Sequence, residues 1–128
     1  MVAVLDSYKT IDHGKGFYET VFRDFKRETL TAWLKAADER YPMLRALPRL
    51  RILYDVRAVI TFTPYAIHCF RQTIYREHPA DTRAAFVVQG NVLNLLLQMY
   101  IKRYQANKGR SSARVFFSYD AAMRWLLE

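Results

Sequence analysis

The sequence predicts an α/β domain with a mostly parallel sheet, an N-terminal hairpin and four helices. Two observations carry that prediction. Short apolar runs rich in branched residues alternate with longer stretches whose apolar residues recur at three-and-four spacing, the order that βαβ units with right-handed crossovers produce. Glycine and proline punctuate the chain where those elements should begin and end. The length of 128 residues fits one domain spanning 1–128, with a single core.

Tyr8–Asp12 and Phe17–Phe22 are aromatic and β-branched runs separated by His13-Gly-Lys-Gly16, and two glycines in four residues predict a hairpin turn. The Gly-Lys-Gly lacks the length and the following helix of a phosphate loop. Asp24 stands at the N-cap of a first helix whose Leu30, Trp33, Leu34, Ala37 and Tyr41 form one apolar stripe. That helix is expected to end at or before Tyr41, because Pro42 donates no hydrogen bond and disfavours helical geometry in the residue before it. The stretch Arg51-Ile-Leu-Tyr-Asp-Val-Arg-Ala-Val-Ile60 predicts a buried central strand, with Asp55 and Arg57 two apart on one side near its C-terminal end.

Thr63-Pro64 opens a second helix carrying Ile67, Phe70 and Ile74, since threonine caps and proline suits the first helical position. Thr82–Val88 predicts another strand, Gln89-Gly-Asn91 a turn, and Leu93, Leu96, Leu97, Tyr100, Ile101 and Tyr104 a third helix. After the polar loop Lys108–Ser112 come a last strand at Arg114–Phe117 and a final helix. Ser118 is its cap, Ala121, Ala122, Trp125 and Leu126 its apolar side, and Trp125 its expected buried anchor.

Charged residues at 25% and apolar residues at 52% are ordinary for a soluble globular chain. The single Cys69 forms no intramolecular disulfide, Met1–Leu5 lacks the pattern of a signal peptide, and no apolar run approaches the roughly 20 residues of a membrane span. A cytoplasmic setting with no transmembrane segment is expected. The net charge of +8 is uneven: residues 82–119 hold Arg83, Lys102, Arg103, Lys108, Arg110 and Arg114 and no acid. Such a segment attracts phosphate-rich partners, or it complements helix C-termini and keeps the surface solvated. Along the chain its cations do not interleave with aromatic residues as a stacking groove requires, which disfavours a nucleic-acid partner beyond weak, non-specific binding.

No nucleophile elbow, Walker sequence or dinucleotide fingerprint occurs, so no enzyme activity and no cofactor are predicted. His68 and Cys69 are adjacent and point apart on a helix, so Cys69 is expected in the core. His13, His68 and His78 have no zinc spacing, and no metal site is predicted. The candidate site lies at the C-terminal edge of the sheet: Asp55 and Arg57, with Thr61, Thr63, Gln89 and Asn91 around them. The alternatives there are an anion-binding site beside helix N-termini, or a structural ion pair with Thr63 as a plain N-cap.

Leu53-Tyr-Asp-Val-Arg57 closing the central strand, the helix start at Thr63-Pro64, and Val115-Phe-Phe-Ser-Tyr-Asp-Ala-Ala-Met-Arg-Trp-Leu126 carry a likeness from about Tyr8 onward. Through them the chain resembles the SpoIIAA-like branch of the STAS (anti-sigma-factor antagonist) domains, a group also compared with the lipid-binding CRAL-TRIO type. The resemblance implies a non-enzymatic regulatory or protein-interaction domain whose partner is another protein or a second copy of itself. Phosphorylatable STAS domains carry Asp-Ser just before the helix after the central strand. Here that stretch is Ile60-Thr-Phe-Thr-Pro64, which leaves Thr61 or Thr63 as the phosphoacceptor and argues against a phosphorylation switch. The alternatives are a carrier of a small anionic or lipid-like ligand near Asp55, Arg57 and Asn91, and a weak, non-specific nucleic-acid binder.

Overall fold

The computed structural model describes residues 7–59, 63–74, 76, 79, 81–89 and 112–128. In chain order these form β1 (Tyr8–Gly14), β2 (Phe17–Phe22), α1 (Arg27–Arg45), β3 (Leu50–Asp55), α2 (Pro64–Ile74), β4 (Thr82–Val87), β5 (Ser112–Phe116) and α3 (Tyr119–Leu127). The five strands make one sheet in the order β1-β2-β3-β4-β5. β1 pairs antiparallel with β2, and every later pairing is parallel. The α/β class, the hairpin and the mostly parallel sheet are as expected. Of the four expected helices, three fall within the described residues, and the one expected over 93–104 lies outside them.

The hairpin turn explains its own composition. Gly14, Lys15 and Gly16 all have positive φ (82°, 56° and 77°), a region that glycine enters without a Cβ penalty. Gly16 is also constrained from outside. Its carbonyl accepts the Arg51 N–H at 2.8 Å, and a Cβ there would sit 2.4 Å from the Arg49 carbonyl oxygen. The glycine therefore lets the hairpin lie directly against the start of β3.

Alternation in the strands sorts residues to two faces. Tyr18 and Phe22 of β2, Leu50, Ile52 and Tyr54 of β3, and Phe86 of β4 face α1 and α2, where they meet Trp33 and Phe70. Trp33 and Phe70 meet tilted by 42° with centroids 4.9 Å apart, and Phe22 meets Trp33 edge-on at 5.3 Å. Buried rings of this size each contribute roughly 2–3 kcal/mol of transfer free energy, so this aromatic core is the main support of the fold. Cys69 is fully buried within it, and burial pushes its thiol above the usual range. On the opposite face Phe17, Leu53, Ala85 and Val87 pack against Ala122 and Leu126 of α3.

Three expectations are corrected. α1 continues through Pro42 to Arg45. Proline there forfeits one backbone bond in the last turn, while Leu44 still reaches the core at 9% exposure, so packing outweighs the local preference. Asp24 is not the N-cap. That position is Lys26, and Asp24 Oδ1 instead accepts the Lys26 N–H at 3.0 Å and the Thr29 hydroxyl at 2.7 Å, fixing the turn into the helix. Trp125 is half-buried, and Ala122 and Leu126 are the fully buried residues of α3. The Ser118 cap holds: its Oγ accepts the Ala121 N–H at 3.2 Å.

Candidate functional site

The C-terminal edge of the parallel strands carries a groove of about 380 Å³ between two loops. One loop, Arg23–Lys26, leads from β2 into α1. The other follows β3, where the Val56 N–H bonds to the Val87 carbonyl at 3.0 Å and the Val59 N–H to the Val56 carbonyl at 3.1 Å. Thr63 then caps α2, its Oγ1 accepting the Ala66 N–H at 3.1 Å and its carbonyl the Ile67 N–H at 3.1 Å. Phe25, Ala58 and Val59 give the groove an apolar lining, and Arg23, Asp24, Lys26 and Thr63 give it a polar rim. Burial pushes the Asp24 carboxyl upward, but hydrogen bonds from Thr29 and the Lys26 N–H and the Lys26 charge outweigh that and hold it below the usual carboxylate range.

Asp55 and Arg57 lie on the other face of the sheet. β3 ends at Asp55, so Arg57 stands in the turn rather than on the strand. The two form a bidentate pair, Arg57 Nε donating to Oδ1 at 2.9 Å and Nη2 to Oδ2 at 2.7 Å, and the Arg57 N–H adds a bond to Oδ1 at 3.2 Å. Hydrogen bonding to Asp55 raises the guanidinium pKa further. Arg57 also lies 5.5 Å over the Tyr119 ring, and the Tyr119 hydroxyl donates to Glu19 Oε1 at 3.0 Å. His13 Nε2 is 2.8 Å from the same oxygen, and Glu19 is only 5% exposed. Burial, then the hydrogen bond and charge of Glu19, push the Tyr119 phenol up. The network ties the start of α3 to β2, β3 and the hairpin.

The structure therefore divides the six candidate residues. Asp55 and Arg57 meet each other, while Thr63 lines the groove across the sheet. Gln89 is exposed and makes no hydrogen bond to either among the described residues. Thr61 and Asn91 lie outside the described residues. Because Asp55 already fills the fork of Arg57, that pair acts as a structural clamp. Among the described residues no group of three or more His, Cys, Asp or Glu is placed to hold a metal, and no helix is long and apolar enough to cross a membrane.

A second polar feature was missed in the sequence. Arg51, 4% exposed, donates from Nε to the Leu126 carbonyl at 2.9 Å, from Nη1 to the carbonyls of Leu50 and Asp81, and from Nη2 to Asp81 Oδ1 at 2.9 Å. Arg83 donates to the Trp125 carbonyl at 2.7 Å. Two guanidinium groups thus cap the C-terminus of α3, where orphan carbonyls and the helix dipole favour cations. The signal in the sequence is one arginine within each of two apolar strand runs, but only the register of β3 beside β4, with Arg51 opposite Arg83, brings them under one helix end.

No family model matches the sequence, and no curated protein matches it. Solved structures do match. An uncharacterized DUF3478-family protein with a SpoIIAA-like fold from Shewanella loihica PV-4 aligns over 98% of both chains at 12% identity, with a TM-score of 0.67. An anti-sigma factor antagonist from Mycobacterium paratuberculosis aligns over 99% of this chain and 100% of its own at 13% identity, with a TM-score of 0.61. The fold of this chain is SpoIIAA-like, shared with an anti-sigma factor antagonist.

Proposed function

We propose that the chain is a non-enzymatic regulatory domain that acts by binding another protein in the groove at the C-terminal edge of its sheet. The observation that carries this reading is the groove itself. It has an apolar lining of Phe25, Ala58 and Val59 inside a charged rim, and so offers a small apolar side chain of a partner a desolvated seat with polar edges around it. The likeness to an anti-sigma factor antagonist supports a regulatory role. The carrier reading at Asp55 and Arg57 is weaker, because the bidentate pair leaves an anion only the outer edge of Arg57. A reducing, cytoplasmic setting suits the single buried cysteine.

The test uses Ala58, which is exposed in the turn after β3, so that a larger side chain there blocks the groove without entering the core. Affinity capture from the native host with the wild-type chain and with Ala58→Arg, both checked for equal thermal stability, should recover a protein partner only with the wild type. Equal capture by the two would remove the groove from the account.

A further inference from the structure

Folding creates on the α3 face an arrangement that the linear sequence hides. Arg83 of β4, Arg114 and Phe116 of β5, and Trp125 of α3 form a compact stack. The Arg83 guanidinium lies 5.3 Å from the Trp125 ring centre, and that of Arg114 lies 5.6 Å from Trp125 and 5.4 Å from Phe116. Phe116 and Trp125 are 5.6 Å apart, tilted by 44°. Cations and rings that are scattered along the chain therefore interleave in space.

We propose that this stack is a contact site for single-stranded nucleic acid, separate from the groove at the strand ends. Charge sets the sign of the ligand: β4 and β5 contain no acidic residue, and among the described residues neither Arg83 nor Arg114 is paired with a carboxylate. A second copy of the chain, itself at +8, is repelled by the same patch. The rings set the class. Trp125 and Phe116 are each half-buried beside a guanidinium, and unpaired bases stack on such rings and on arginine planes while phosphates meet the arginine charge. An acidic peptide engages the arginines but has no use for the rings, and a duplex keeps its base faces stacked inside.

Intrinsic fluorescence reads the stack directly, because Trp33 is 2% exposed in the other core and only Trp125 can meet a base. The wild-type chain is titrated with a single-stranded oligonucleotide, its duplex, and a polyglutamate of equal charge, with anisotropy followed in parallel. The single strand should bind, quench tryptophan emission and show an affinity that falls linearly with log salt. Trp125→Phe should keep most of the binding and lose the quenching. Arg114→Gln, at an exposed edge position, should weaken binding by about fivefold or more at unchanged thermal stability. Trp125→Leu should weaken it by about tenfold. The proposal is overturned if duplex or polyglutamate binds as tightly as the single strand, if quenching persists in Trp125→Phe, or if Arg114→Gln binds like the wild type. Absence of binding at about 0.1 M salt overturns it as well.

Discussion

Replacing Arg51 with methionine tests the clamp that holds α3 to the sheet. Methionine keeps an unbranched apolar stem of similar reach but no donor, so the Leu126 and Leu50 carbonyls lose a charged partner in a site where Arg51 itself is 4% exposed. Each such bond to a charged donor is worth roughly 1.5–3 kcal/mol, and a buried acceptor left bare keeps its desolvation cost. The Asp81 carboxylate is 59% exposed, so that ion pair is screened and adds little. Counting the two buried carbonyls fully and the Asp81 contacts lightly gives a destabilisation of about 3–6 kcal/mol for Arg51→Met. Chemical denaturation with the slope held constant measures it, and native-state hydrogen exchange in α3 should rise with it. A loss under about 1 kcal/mol, or unchanged exchange in α3, would refute the clamp.

Gly16→Ala, which meets the Arg49 carbonyl at positive φ, should cost more than about 2 kcal/mol, whereas Gly14→Ala, at a similar φ in open space, should cost about 1 kcal/mol. Equal losses in denaturant unfolding would show that backbone conformation alone decides both. Thr63→Ala should lower stability by about 1 kcal/mol through the lost cap and weaken partner affinity only slightly, because Thr63 sits on the rim of the groove with its hydroxyl turned to the Ala66 N–H. Unchanged stability in denaturant unfolding would contradict the cap. Stability should also decline at both ends of the pH scale. Asp24 and Asp81 are held below the usual carboxylate range, so their stabilisation is present above that range and is lost as acid protonates them in the fold. Tyr18 and Tyr119 are held above the ordinary phenol value, so theirs is complete below that value and is lost as pH rises through the raised native values. Thermal midpoints across pH check both limbs, and a curve flat on the acid side would remove the carboxylate part.

Much of the fold was legible because alternation and helical spacing are local. The Leu50–Asp55 strand, the cap at Thr63 and the cap at Ser118 all follow from neighbours within a few residues. What failed depended on distant packing. Pro42 alone predicts a stop because its missing N–H is a local fact, whereas the burial of Leu44 in the core is not local. Trp125 was read as a core anchor from helical spacing, yet the positions that face the sheet are Ala122 and Leu126, which turns the indole toward Arg83 and Arg114. The site divided for a related reason: Asp55 and Arg57 are close in sequence and meet, while the groove joins Arg23–Lys26 to Ala58, Val59 and Thr63, which only the β2–β3 pairing sets side by side.

Hydrogen-exchange footprinting of the chain with its captured partner shows whether a protein binds in that groove. Protection should fall on Arg23–Lys26, Ala58–Val59 and the first turn of α2, with the outer edge of β1 and the exposed side of α3 exchanging as in the free chain. Protection confined to β1 or α3, with the groove amides unchanged, would contradict the account.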